Sequence, residues 1–122
     1  LTAFDVGADG ALSNRRTYAE LRPAEGSSLT FAPPDGVCLD DEGAVWVADP
    51  IGARVFRVLP GGAVTDEHRF TDVIPVACVL GGADRRTLLV CVAASWKREL
   101  VKARATGRID AFDVAVAGAG RP

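Results

Sequence analysis

Short runs of Val, Phe, Leu and Cys alternate along the chain with turns rich in Gly and Asp, and helical periodicity is almost absent. This pattern is typical of consecutive antiparallel strands joined by tight turns. The chain is therefore predicted to be all-β. Strands are expected at residues 2–6, 14–21, 37–40, 44–49, 54–59, 63–70, 76–80, 87–93 and 108–114.

Two kinds of strand sequence recur. AFDV at 3–6 returns at 111–114 and is related to VFRV at 55–58, while VCL and WVA in 37–48 are echoed by CVL and CVA in 78–93. The interval of about 40–55 residues is that of four-stranded propeller blades. The repeats therefore predict a β-propeller architecture.

The predicted strands divide into blades. Residues 1–21 give the outer strands of one blade, 37–70 a complete blade, and 76–114 the strands of the last. This amounts to about two and a quarter blades, whereas closed propellers have about 4–8. With too few blades, the chain alone is not expected to close into a ring, and its open edges would be free to pair with other chains. Either a missing N-terminal part or a second copy of the chain would complete the ring.

Composition narrows the class of protein. The chain is 48% hydrophobic and 25% charged, as in soluble globular proteins, and no apolar run is long enough to cross a membrane. A net charge of −2 with mixed signs makes nucleic acid an unsuitable partner. Cys38, Cys78 and Cys91 lie in apolar runs and are expected to be buried free thiols, which favours a cytoplasmic location.

The stretch APPDGVCLDDEGAVWVAD, at 32–49, concentrates acidic residues around one predicted hairpin. In a propeller, Asp35 would stand at the channel end of the innermost strand. The turn at 40–43 and Asp84 would lie at the opposite end, in bulk water. Asp35 is thus either a carboxylate for chemistry or a turn residue that bonds its own backbone.

Several segments together resemble the gluconolactonase, regucalcin (senescence marker protein) and related lactonase family. They are FDV, GADG, PPDGVCLDDEGAVWVAD, GARVFRVLPGG, CVLGGADRRTLLVCVA and GRIDAFDV, and they span nearly the whole chain. The resemblance implies a six-bladed β-propeller, present here as a partial, C-terminal fragment. It also implies one divalent metal in the central channel, with Asp35 as a ligand. The family's Glu-Gly-Pro and Asn-Gly ligand motifs are absent from this sequence.

The implied activity is metal-dependent hydrolysis of a sugar-acid lactone. The metal would polarise the ester carbonyl and activate a water, and Asp35 would act as ligand and as proton acceptor and donor. A single aspartate suits Ca²⁺, Zn²⁺, Mg²⁺ or Mn²⁺ equally. The isolated chain is expected to be inactive. The alternative is a non-catalytic propeller scaffold or metal-binding protein.

Three further residues are candidates for the substrate pocket. Asp49, directly before Pro50 at the same end as Asp35, either lines the pocket or simply ends its strand. Trp96 and Arg98 belong to ASWKRELVKARATG, at 94–107, which has helical character and forms either a lid or a solvated loop. Trp46 is expected in the core between blades, and His68 on an outer, solvated strand.

Overall fold

The computed structural model describes residues 1–120, and the last two residues of the chain fall outside this range. The described residues form strands β1 to β9 and a helix α1 between β8 and β9. The bounds are β1 Thr2–Val6, β2 Leu12–Thr17, β3 Val37–Leu39, β4 Val45–Asp49, β5 Arg54–Val58, β6 Val64–Arg69, β7 Ile74–Gly81, β8 Thr87–Ala93, α1 Arg98–Ala103 and β9 Arg108–Asp113. The all-β prediction is confirmed.

The strands form three antiparallel sheets in chain order. The first sheet is β1-β2, the second β3-β4-β5-β6 and the third β7-β8-β9. Within each sheet, strands that follow one another in sequence are paired, whereas the connections from β2 to β3 (residues 18–36) and from β8 to β9 (residues 94–107) are long. Among residues 1–120 there is no helix with the length and apolar character that crossing a membrane requires.

The second sheet is covered on both faces. One face packs on the third sheet through a buried cluster made of Cys38, Trp46, Val55, Cys78, Leu88, Val90 and Val92. The other face packs on the connection that follows the first sheet, through Ala19, Ala32, Val45, Val47, Phe56 and Val58. Both β4 and β5 are buried along their whole length; β4 is apolar except for Asp49, whereas β5 carries two arginines that are buried in ion pairs. Trp46, 1% exposed, lies between sheets as predicted.

The largest shift in a strand boundary is in β2. Residues 14–21 were the predicted span, but the strand runs from Leu12 to Thr17. Beyond Thr17 the chain leaves β1, after the Tyr18 amide has bonded the Leu1 carbonyl at 3.0 Å. Ala19 and Leu21 then pack against the second sheet. Tertiary packing therefore ends the strand where sequence preference would continue it.

His68 is half-buried, which corrects the expectation of a solvated side chain. Its ring lies between Trp46, with centroids 6.0 Å apart, and Phe112, at 4.4 Å. The cause is β9 of the neighbouring sheet, whose Phe112 covers the outer strand of the second sheet. His68 therefore serves packing between sheets.

Asp40 is also not solvated, although its turn was predicted to face bulk water. The residue is 2% exposed, and its carboxylate accepts hydrogen bonds from the amides of Glu42, at 3.0 Å, and Ala44, at 2.9 Å. The Arg57 guanidinium donates to it at 2.6 Å and reaches Glu42 at 2.8 Å. Asp40 thus closes the turn from inside, while Asp41 and Glu42 are exposed as expected.

Cys91 is exposed, whereas Cys38 and Cys78 are buried as predicted. Side chains alternate along β8, so Val90 and Val92 face the second sheet and Cys91 faces the other way. The expectation of three buried thiols is wrong for Cys91, because its run is apolar on both faces but covered on only one in this chain.

Candidate functional site

Asp35 is held in place by its backbone. Its amide donates to the Ala48 carbonyl at 2.9 Å, and the Ala48 amide returns a bond to Gly36 at 2.9 Å, extending the β3–β4 pairing. The Gly36 amide then reaches across to the Val76 carbonyl at 3.0 Å, which ties this end of β3 to β7. The Asp35 side chain is exposed. A rigid backbone therefore presents a solvent-accessible carboxylate.

A pocket of about 290 Å³ adjoins Asp35. It is built from three connections, those before β3, after β4 and after β8, together with the start of β7. Its lining consists of Pro33, Pro34, Asp35, Pro50, Ile51, Val76 and Trp96. Apart from the carboxylate, the side chains are apolar. One charged group in an apolar wall is a common composition for small-molecule sites.

Trp96 lies in this pocket, and its side chain is 58% exposed. Arg98 begins α1, a helix with no buried residue, and is exposed. Arg98 is not one of the described residues that line the pocket. The structure therefore brings Trp96 to Asp35 and leaves Arg98 in solvent.

Asp49 is near in sequence to the pocket but its carboxylate is engaged elsewhere. It is 1% exposed, accepts from the Gly52 amide at 2.8 Å and pairs with Arg54 at 3.0 Å. Arg54 also reaches Glu67 at 2.8 Å and the Arg22 carbonyl at 2.7 Å. Asp49 ends β4 and stabilises the following turn, the second of the two roles open to it from sequence.

Pro50, Ile51 and Val76 are pocket residues that the sequence did not single out. Pro50 and Ile51 follow β4 and Val76 lies near the start of β7, but apolar residues in such positions carry no chemical signature. Ile51, at 46% exposure, is an apolar residue directly after Asp-Pro in a turn. A single isoleucine in a turn is ordinary, so no signal in the sequence would have marked it as a pocket residue.

The described residues do not form a metal centre by themselves. Between residues 1 and 120, no three His, Cys, Asp or Glu side chains are grouped closely enough to hold a metal ion. Divalent cations such as Ca²⁺ take about 6–8 oxygen ligands. Asp35 alone does not satisfy that need, so this chain offers one carboxylate and not a ligand set.

The sequence matches known proteins over most of its length. The model of the SMP-30/Gluconolactonase/LRE-like region matches residues 1–94. Regucalcin of Danio rerio is 38% identical over 96 residues, which are 75% of this chain and 30% of that protein. The 6-deoxy-6-sulfogluconolactonase of Pseudomonas putida is 32% identical over 90 residues, covering 74% of this chain and 29% of the relative.

A solved structure of luciferin-regenerating enzyme shares the fold, with a TM-score of 0.62 and 24% sequence identity. The match covers 98% of this chain and 38% of that structure, which is of the propeller type. The chain spans about 30% of the length of the curated relatives it matches. The resemblance noted in the motifs is confirmed: this chain belongs to the SMP-30/gluconolactonase/LRE-like family.

Proposed function

We propose that the protein hydrolyses the lactone of a sugar acid and that this chain contributes Asp35 to the catalytic site. The observation that carries the proposal is an exposed carboxylate, free of ion pairs among the described residues, beside a mostly apolar pocket. Family membership supports the reaction class, and one relative is named as a sulfogluconolactonase. The blade segments at 1–21, 37–70 and 76–114 would form part of a propeller ring. Additional polypeptide or a second copy of this chain would complete that ring.

Lactone hydrolysis adds water across the ester bond. The attacking water loses a proton, the ring C–O bond breaks, and the ring oxygen gains a proton. A carboxylate beside the water can take the proton and return it to the departing alkoxide, a contribution of about 10²–10⁴-fold. Asp35 is suited to this because its backbone is fixed while its carboxylate has no competing partner among residues 1–120. Trp96 offers an apolar surface to the sugar carbons.

Members of this family generally depend on a divalent metal. A divalent cation supplies polarisation of an ester carbonyl. In this proposal Asp35 is the one ligand that the chain contributes, and the other ligands come from outside it. Asp35 then acts first as an oxygen ligand, because a carboxylate bound to a cation is a weaker base.

The test is hydrolysis of an aldonolactone by the intact protein, followed through the proton released by the acid product. Asp35→Asn keeps the size of the side chain and removes its charge. We expect kcat/KM to fall by about 10²–10⁴-fold. Asp41→Asn is the matched control, since Asp41 is also exposed but lies at the other end of the same hairpin. EDTA should abolish the activity, and an added divalent cation should restore it.

Two results would contradict the proposal. If Asp35→Asn and Asp41→Asn hydrolyse the lactone equally well, Asp35 is not part of the site. If the intact protein, supplied with Ca²⁺, Zn²⁺, Mg²⁺ or Mn²⁺, hydrolyses no aldonolactone, the non-catalytic scaffold becomes the better description.

A further inference from the structure

Two buried cysteines from different sheets face each other. Cys38 is the middle residue of β3 and Cys78 lies within β7, and their sulfur atoms are 3.9 Å apart. Cys38 is 5% exposed and Cys78 is 8% exposed. They occupy similar places in the repeated VCL and CVL segments. Repetition of the strand sequence has therefore placed one thiol on each side of a sheet-to-sheet junction.

The two strands are held unusually close next to this pair. The Gly36 amide donates to the Val76 carbonyl at 3.0 Å, so backbone meets backbone between the sheets. A Cβ on Gly36 would lie 2.5 Å from the Ala77 Cα, which no other residue could accommodate without movement. Two residues further along each strand, Cys38 and Cys78 meet. The backbone contact at Gly36 fixes the distance between β3 and β7, and the two thiols lie close together as a result.

We propose that Cys38 and Cys78 form a disulfide that links the second and third sheets when the protein meets a hydroperoxide. In the first step one thiolate attacks the peroxide, the O–O bond breaks, and a sulfenic acid and an alcohol or water result. In the second step the other thiol attacks the sulfenic sulfur, forming the S–S bond and releasing water. A disulfide is about 2.05 Å long, so the sulfurs must approach by about 2 Å.

The surroundings distinguish the two thiols. The hydrogen bond with Cys78 lowers the pKa of Cys38, while the same bond and burial raise the pKa of Cys78. The Cys78 thiol is also within 3.6 Å of the Trp46 carbonyl, an acceptor that favours the protonated form. Since the thiolate is the nucleophile, Cys38 is the residue that attacks the peroxide and Cys78 the one that resolves the intermediate.

Cys91 cannot take part in this bond. It pairs with Ala77 across β7 and β8, so it points to the face of the third sheet opposite to Cys78. It is exposed and makes a useful internal control.

The three cysteines fall in three different tryptic peptides, 17–54, 70–85 and 87–97. The intact protein carrying Cys91→Ser would be treated with hydrogen peroxide at low protein concentration, blocked with an alkylating agent, and digested without reductant. We expect a linked 17–54/70–85 peptide pair, lighter by two hydrogen atoms than its separate parts, which dithiothreitol resolves. Alkylation of both cysteines should be lost together. A non-reducing denaturing gel should show no disulfide-linked dimer, because the bond forms within one chain.

The proposal is overturned if Cys38 and Cys78 both remain open to alkylation at peroxide concentrations that oxidise Cys91 in the wild-type protein. It is also overturned if Cys38 and Cys78 oxidise separately to sulfinic acids. Cys78→Ala in the same background tests the assigned roles, because Cys38 should then stop at the sulfenic acid and be trapped by dimedone. Cys38→Ala should leave Cys78 unreactive, and circular dichroism establishes that each variant is folded.

Discussion

The two ends of the β3–β4 hairpin each carry an aspartate, in opposite states. Asp35, before β3, is exposed and its carboxylate has no ion pair within the described chain. Asp40, after β3, is 2% exposed and is held by Arg57 and two backbone amides. The residues are alike in type and adjacent to the same strand. The difference between them is that Asp40 has a buried arginine side chain as a partner and Asp35, among residues 1–120, does not.

Asp49 shows that the relevant variable is the partner and not the end of the sheet. It lies at the same end as Asp35, yet it is buried and paired with Arg54. A buried carboxylate needs such a partner because its desolvation is costly. Charges already neutralised by arginine are poor candidates for binding substrate or metal. Of these two carboxylates, Asp35 is therefore the one that remains available for chemistry.

The largest effect is expected from Asp40→Asn. The substitution keeps the shape of the side chain but leaves Arg57 without its buried counter-charge. Breaking a buried pair in this way lowers the free energy of unfolding by about 3–5 kcal/mol. Asp35→Asn should change it by less than about 0.5 kcal/mol, as for other exposed sites. Urea denaturation of the two variants of the intact protein measures both values.

Equal destabilisation by the two substitutions would contradict the distinction between Asp35 and Asp40. It would mean that Asp35 stabilises the fold although its side chain is exposed. A double substitution, Asp40→Asn with Arg57→Met, provides the control. Removing both charges should recover part of the lost stability if the cost arises from the unpaired Arg57.

An intermediate effect is expected from Tyr18, which joins the first sheet to the Asp40 end of the hairpin. Its hydroxyl donates to the Gly43 carbonyl at 2.6 Å, and the Val58 carbonyl lies 3.2 Å away as the weaker acceptor. Burial, and then the nearby Asp40 carboxylate, raise the pKa of Tyr18 above its ordinary value of 10.0. The protonated form is thus favoured in the folded state. Tyr18→Phe should lower the free energy of unfolding by about 1 kcal/mol at neutral pH.

The pH dependence follows from the direction of that shift. Tyr18 contributes its full stabilisation below pH 10.0, where both folded and unfolded chains are protonated. Above that, the unfolded chain loses its proton first, so the contribution falls as pH rises through the higher pKa of the folded state. The difference between wild type and Tyr18→Phe should therefore shrink above pH 10.0. A difference that grows with pH would contradict the assignment.

Much of the fold could be predicted because strand content and repetition are local properties of the sequence. The bounds of β1, at 2–6, and of β8, at 87–93, match those expected, and the bounds of the other strands differ by up to four residues. What could not be predicted depends on which sheet covers which face. Arg57 lies 17 residues from Asp40, and only the register across β3, β4 and β5 brings them together. His68 and Phe112 meet across two sheets in the same way.

The candidate site shows the same division. Asp35 could be singled out because Pro-Asp-Gly is a recognisable motif at a predictable end of a strand. The burial of Asp49 and the absence of Arg98 from the pocket could not, because each depends on side-chain direction and not on position along the chain. The proximity of Cys38 and Cys78 likewise required the close approach at Gly36. Sequence located the connections, and packing decided which side chains they present.

Among the changes at the Asp40 end of the hairpin, the smallest effect is expected from Asp41→Asn, although Asp41 is the immediate neighbour of Asp40. Its carboxylate pairs with Arg85 at 3.1 Å, and both side chains are 47% exposed. Exposed ion pairs contribute about 0–1 kcal/mol and weaken with salt. We expect urea denaturation at high salt to show no difference from wild type. A decrease in the free energy of unfolding close to that of Asp40→Asn would mean that the exposed carboxylates of the turn also stabilise the fold. A negligible loss would mean that one step along the chain, from an inward to an outward side chain, separates a structural carboxylate from a solvated one.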